Sequence, residues 1–149
     1  MKKITLLGTA IALLVLLPTL ASASELDDFK AAIKERYDLK VRAFAEDNPD
    51  LVVDEFYAPD VFSVDNEGKP HAGREALRPI YHEVVPGSEV RIESKRTHVE
   101  GNTGWDWANF YVTPDDPEAE PFSFAILFLW ERRDGRWWCV GDMYNLGKL

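Results

Sequence analysis

A carboxylate in an apolar strand must either do chemistry or satisfy a fixed partner, and Asp142 lies in such a run, W-W-C-V-G-D-M-Y. Among Trp138, Val140 and Tyr144 its carboxyl group would be stripped of water, which suits it to proton transfer. Equally, it could accept a fixed hydrogen bond from Tyr37, Arg96 or a backbone amide. Tyr37 is the second candidate. It sits on the apolar stripe of a helical pattern, so its hydroxyl points inward and needs a partner. Asp65 is the third, either a general base or an ordinary turn residue in Asp65-Asn66-Glu67-Gly68. The three histidines, His71, His82 and His98, have no ligand-like spacing with carboxylates, so no metal site is expected. Without a Gly-rich phosphate loop or a readable Ser-His or Cys-His pairing, no cofactor is expected either.

These side chains must be positioned by a small exported domain. Lys2 and Lys3, an apolar run from Ile4 to Leu20 and Ala21-Ser22-Ala23 read as a secretory signal peptide, residues 1–23, followed by one domain, residues 24–149. The protein is expected in the periplasm or outside the cell, with no membrane attachment after cleavage. Losing Lys2 and Lys3 leaves 15 of the 17 basic residues against 26 acidic ones, so the net charge moves from −9 to −11. That charge disfavours nucleic acid and anionic membranes, even with five tryptophans available for stacking. The single cysteine, Cys139, is expected as a buried thiol that faces away from any pocket.

Leu26, Phe29, Ile33, Tyr37, Val41 and Phe44 recur at three- and four-residue spacing and predict a helix over residues 24–46. Asn48-Pro49 opens a short helix to about Tyr57, which Ala58-Pro59-Asp60 ends. A strand over Val61–Val64, a turn at 65–68 and a helix from Ala72 to Val85, kinked at Pro79, come next. Strands follow over 89–100 and 104–113. In the second of these, Trp105, Trp107, Asn109 and Tyr111 alternate with Asp106, Ala108 and Phe110. The closing run from Phe122 to Asn145 is a hairpin around Asp134-Gly135, a turn that needs positive φ. Helices grouped apart from a run of strands indicate α+β, with the helices covering one face of a curved sheet. Trp130 and Trp137 are expected on the other face of that sheet.

The passages F-Y-A-P-D-V-F-S-V-D, G-K-P-H-A-G-R-E-A-L and W-E-R-R-D-G-R-W-W-C-V-G-D-M-Y-N, in this order of elements, resemble the nuclear transport factor 2-like superfamily, and within it the SnoaL-like, exported bacterial branch. The resemblance implies a cone: a strongly bent antiparallel sheet with three helices enclosing a pocket, often dimerised through the sheet. Carried over from ketosteroid isomerase, Asp65 takes the place of the base and Tyr37 that of the main oxyanion donor. Leu127 stands where the second donor, a protonated aspartic acid, would be. The same register turns Trp105, Trp107 and Asn109, then Ala125 and Leu127, then Val140, Asp142 and Tyr144 towards the pocket, with Tyr57 completing the lining.

Two functions follow from this reading. One is a binding module for a small, largely apolar or aromatic ligand, acting as a homodimer. The other is a lyase- or isomerase-type enzyme using Asp142 or Asp65 as acid/base and Tyr37 as polarising donor. Convergence of Tyr37 and Asp142 across open space would favour the enzyme. A space filled by Trp105 and Trp107 would favour neither.

Overall fold

The computed structural model describes residues 18–149, so the expected signal peptide lies outside the described residues apart from residues 18–23. Helix α1, Pro18–Ala45, runs through the expected cleavage point. Its buried stripe is Phe29, Ile33, Tyr37, Lys40 and Phe44, the spacing expected except that Lys40 replaces Val41 at the centre. Helix α2, Pro49–Glu55, is capped by Asn48, whose side chain accepts the Leu51 amide, with Pro49 in the first turn. Helix α3, Arg74–Val84, starts at Gly73, whose φ of 79° suits glycine, and contains Pro79.

The strands are β1 (Tyr57–Val64), β2 (Pro70–Ala72), β3 (Ser88–Glu100), β4 (Thr103–Pro114), β5 (Phe122–Arg133) and β6 (Arg136–Leu146). They form one sheet in the order β2-β1-β6-β5-β4-β3. The sheet is mixed, because β1 runs parallel to β6 while every other pair is antiparallel. Tyr57 belongs to β1 and not to the end of α2. Pro59 is tolerated there because the ladder to β6 is interrupted between Tyr57 and Phe62. The β5–β6 turn is as the sequence predicts, with positive φ at Asp134 (51°) and Gly135 (79°).

Two bulges bend the sheet and set which residues face the helices. One interrupts the β3–β4 register between Ser94 and Arg96. The other pairs Trp130 with Cys139 and Leu129 with Gly141, which leaves Val140 as the extra residue. Alternation therefore breaks at Val140. Cys139 is fully buried on the same side as Asp142, and Trp137 packs against Phe29 at 4.6 Å. Cys139 is buried as expected, but on the side of Asp142 and not away from it, and Trp130 and Trp137 lie on the inner face and not the outer one. Trp130 is instead wedged edge-on against Phe56 and Tyr37, with ring centroids 5.4 and 5.8 Å apart.

The concave side carries Asp106, Ala108 and Phe110 from β4, with Ile126, Phe128 and Trp130 from β5, all buried. Helix α1 is seated on it at Gly104. A Cβ there would come within 2.6 Å of the Phe29 ring and 2.8 Å of the His98 carbonyl. Gly104→Ala is therefore expected to lower the unfolding free energy by about 1–3 kcal/mol through overpacking. Urea denaturation measures it, and a loss below about 0.5 kcal/mol would mean that α1 yields freely at this point.

Candidate functional site

The polar groups of the concave side fall into two separate clusters. In the first, Asp142 accepts the Tyr57 hydroxyl at 2.6 Å on Oδ2 and the Ser63 hydroxyl on Oδ1. Ser63 is directly opposite Asp142 in the parallel β1–β6 ladder, so the backbone register itself makes this contact. Tyr57 and Tyr81 hydroxyls lie 2.6 Å apart, and Lys40 Nζ donates to both at 2.9 Å. Each phenol has one proton. Tyr57 gives its proton to Asp142, so Tyr81 donates to Tyr57. Lys40 and Asp142 thus form an ion pair relayed through tyrosine.

Four elements deliver this cluster: Lys40 from α1, Tyr57 and Ser63 from β1, Tyr81 from α3 and Asp142 from β6. Lys40 is 1% exposed and its ammonium lies over the Phe56 ring, 4.4 Å from the centroid. Burial lowers its pKa to about 8, only partly opposed by the attraction of Asp142. Burial, and then the Asp142 charge, push the Tyr57 and Tyr81 phenols well above their ordinary range. Burial likewise raises the Cys139 thiol, which leaves it inert as a nucleophile. Ile80, Tyr81, Phe124 and Tyr144 are half-buried against the core, with Phe124 and Tyr144 rings 4.9 Å apart. Aromatic walls around a few convergent polar groups are the composition of a small-ligand site.

The second cluster lies on the other side of the α1 stripe. The Tyr37 hydroxyl donates to Asp106 Oδ2 at 2.7 Å, and Ser94 and Thr97 donate to Oδ1 at 2.6 and 2.8 Å. Asp106 is fully buried, and its pKa is raised because desolvation outweighs these three donors. Tyr37 therefore does not reach Asp142. Asp65 belongs to neither cluster. It accepts the amides of Glu67 and Lys69 within the β1–β2 turn and pairs with His71 at 3.2 Å. The Lys69 amide, followed by His71, holds its pKa below the usual carboxylate value, as suits a turn acceptor.

Of the expected lining, Tyr57, Asp142 and Tyr144 come together. Trp105, Trp107, Asn109 and Leu127 alternate with the buried residues of β4 and β5 and so occupy the convex face. Val140, the bulge residue, lines a convex-side cleft with Trp105 and Leu129. Asn109 is buried there, and its side chain accepts the Leu149 amide of the C-terminal segment. Neither tryptophan fills the interior, which is packed instead by Phe56, Phe110, Phe128 and Trp130. Lys40, Ser63 and Tyr81 are the members that sequence reasoning missed. Lys40 had a signal, since 33-37-40-44 is as good a helical stripe as the one through Val41. No group of His, Cys, Asp or Glu side chains among the described residues gathers as a metal site requires.

The SnoaL-like domain family matches residues 39–140, about two-thirds of the chain. No curated protein sequence matches. Among solved structures, a nuclear transport factor 2-like protein with a cystatin-like fold from Novosphingobium aromaticivorans is similar with a TM-score of 0.71 at 16% identity, over 87% of this chain and 89% of that one. A nuclear transport factor 2-like protein of unknown function from Shewanella oneidensis gives a TM-score of 0.68 at 14% identity, over 78% and 98%. A ketosteroid isomerase-like protein from Erwinia carotovora atroseptica gives 0.64 at 16%, over 80% and 96%.

Proposed function

The chain belongs to the SnoaL-like domain family, and from that premise we propose that it is an exported binding protein for a small, largely apolar ligand with one polar end. The family fold often binds small ligands or acts as an isomerase, so fold alone does not choose. The observation that carries the choice is the Lys40–Tyr57–Tyr81–Asp142–Ser63 network inside an otherwise aromatic interior. A ligand hydroxyl or carbonyl arriving past Tyr81 and Tyr144 exchanges with the Tyr81–Tyr57 hydrogen bond, and its apolar body lies against Phe124 and Tyr144. Native mass spectrometry of protein purified from its host is expected to show one retained small molecule. A consistently empty protein, with no thermal shift across a broad ligand set, would overturn the reading.

One observation favours a second reading, turnover by acid/base chemistry. An amine with a pKa of about 8 stands two hydrogen bonds from a buried carboxylate, so protons can be exchanged near neutral pH. In this reading Asp142 is the acid/base and Tyr81 the polarising donor. Asp65 and Tyr37 have no part in it, being bound up elsewhere.

The working unit in either reading is a homodimer through the convex face. Phe62, Leu129 and Met143 are 54%, 43% and 42% exposed, and Trp105, Trp107 and Leu127 adjoin them in the ladder. An apolar patch spread over four adjacent strands is unusual for a monomer's free surface. Leu129→Glu is expected to convert a dimer into a folded monomer, read by light scattering after size exclusion. A wild-type protein that is monomeric at tens of micromolar would remove the dimer.

A further inference from the structure

We propose that the groove between α1 and β3 is a second binding site, one for a small amphipathic organic anion such as a medium-chain carboxylate. The groove has a volume of about 650 Å³, within the range of drug-sized ligand sites. It follows α1 from Lys30 to Val41, which at the helical rise is about 16 Å. It is separate from the Asp142 cluster, none of whose members line it.

Its walls are apolar: Ile33 and Val41 from the helix, Val90 and Ile92 from the strand. Its floor is polar but saturated. Tyr37, Ser94 and Thr97 all spend their hydroxyl protons on Asp106. A ligand body lying there meets hydrocarbon and hydroxyls that are already committed, so no polar group in the middle of the ligand is rewarded.

The rim decides the sign of the ligand's charge. Lys30, Lys34, Arg91 and Lys95 border the groove against the carboxylate of Asp38, with Asp106 beneath the floor and Glu93 beside Lys95. Lys34 is paired with Asp38 at 2.6 Å, and Lys95 with Glu93 at 2.7 Å. The Arg91 guanidinium lies over the Tyr111 ring, 3.8 Å from its centroid, with Glu93 3.7 Å away. Lys30 makes no direct ion pair among the described residues, and its charge acts on the buried Asp106. On a protein of net charge −9 this is a local excess of positive charge beside an apolar trough. A cationic amphiphile would face the rim lysines, and a neutral one would gain nothing from them. An anion is matched.

Isothermal titration of the purified protein with decanoate, decyltrimethylammonium and acetate tests the assignment. Decanoate is expected to bind one-to-one, decyltrimethylammonium at least tenfold more weakly, and acetate not measurably. Lys30→Glu/Lys95→Glu, two exposed substitutions, should weaken decanoate at least tenfold. Asp142→Asn and Leu129→Glu should leave it unchanged, which separates this groove from the interior network and from the convex face. Equal affinity for the two charged amphiphiles would overturn the proposal. So would an undiminished affinity in the charge-reversed variant, or loss of binding in either control variant. No decanoate binding up to millimolar concentration would do the same.

Discussion

Lys40→Met is expected to lower the unfolding free energy by about 3–5 kcal/mol, the usual consequence of leaving one member of a buried ion pair without its partner. The methionine keeps most of the volume in the Phe56, Phe110 and Phe128 cage, so lost packing is a minor term. What is lost is the cation that balances Asp142 through Tyr57 and Tyr81. Asp142→Leu should cost less, because Lys40 can shed its proton when its counter-ion goes, and what remains is the loss of the acceptor for the Tyr57 and Ser63 hydroxyls. The double variant should be more stable than either single one, because replacing a whole buried pair by apolar groups is often close to neutral. Additive losses in a urea-denaturation cycle would show that Lys40 and Asp142 are not coupled, and the relayed ion pair would have to be abandoned.

The same pair gives a pH signature whose sign is unusual for a lysine. Burial lowers the folded-state pKa of Lys40 to about 8 from an ordinary 10.5. Between those values the unfolded chain holds a proton that the folded one has released, so this group makes stability rise with pH from about 8 upward. Opposing groups limit the window. Cys139 and the phenols of Tyr37, Tyr57 and Tyr81 have folded pKa values raised above their ordinary 9.0 and 10.0. They stay protonated when folded and ionise when unfolded, so they withdraw stability above pH 9. The gain should therefore appear between about pH 8 and 9, level off as Cys139 offsets it, and reverse near pH 10 as the phenols of the unfolded chain ionise. Lys40→Met should lose the gain and keep the decline.

Elements that depend on local chemistry were legible in the sequence. The Asn48-Pro49 start of α2 and the Asp134-Gly135 turn are fixed by residues adjacent to them, and both are found as expected. Facing was harder to read. A two-residue period assigns a whole strand from one anchor, and the extra residue Val140 shifts that assignment by one in the middle of β6. In β4 both faces are apolar enough to be buried, so Trp105 and Trp107 resemble a pocket wall as readily as an outer patch. Burial of Ala108 and Phe110 under α1 decides it, and that is a tertiary fact. Lys40 was overlooked for a different reason: a lysine on an apolar stripe reads as a surface residue unless its partners are known. Those partners are a tyrosine 17 residues on and another 41 residues on. The second candidate carboxylate of the concave side, Asp106, was hidden in the same way, its donors Tyr37, Ser94 and Thr97 lying on other elements.

Asp142→Asn is expected to weaken retention of the interior ligand by about ten- to a hundredfold, the range for hydrogen bonds to a charged acceptor. The fold should survive. The amide keeps an acceptor oxygen for one of the two hydroxyls, and Lys40, with a pKa already near 8, can shed its proton when its counter-ion goes. Tyr57→Phe provides a second route to the same end. It cuts the relay at its centre without altering charge, so it should weaken the ligand too. The two readings of the site part company on kinetics. If the retained molecule is only bound, neither variant changes its chemical form. If it is a substrate, Asp142→Asn should lower kcat by a hundredfold or more, with KM changed far less, because proton transfer is made only in the transition state. A folded Asp142→Asn protein that holds the ligand as tightly as the wild type, and leaves its turnover unchanged, would sink both. The network would then be a device for registering β6 against β1 and α1, and the search for a ligand would move to the groove beside Lys30.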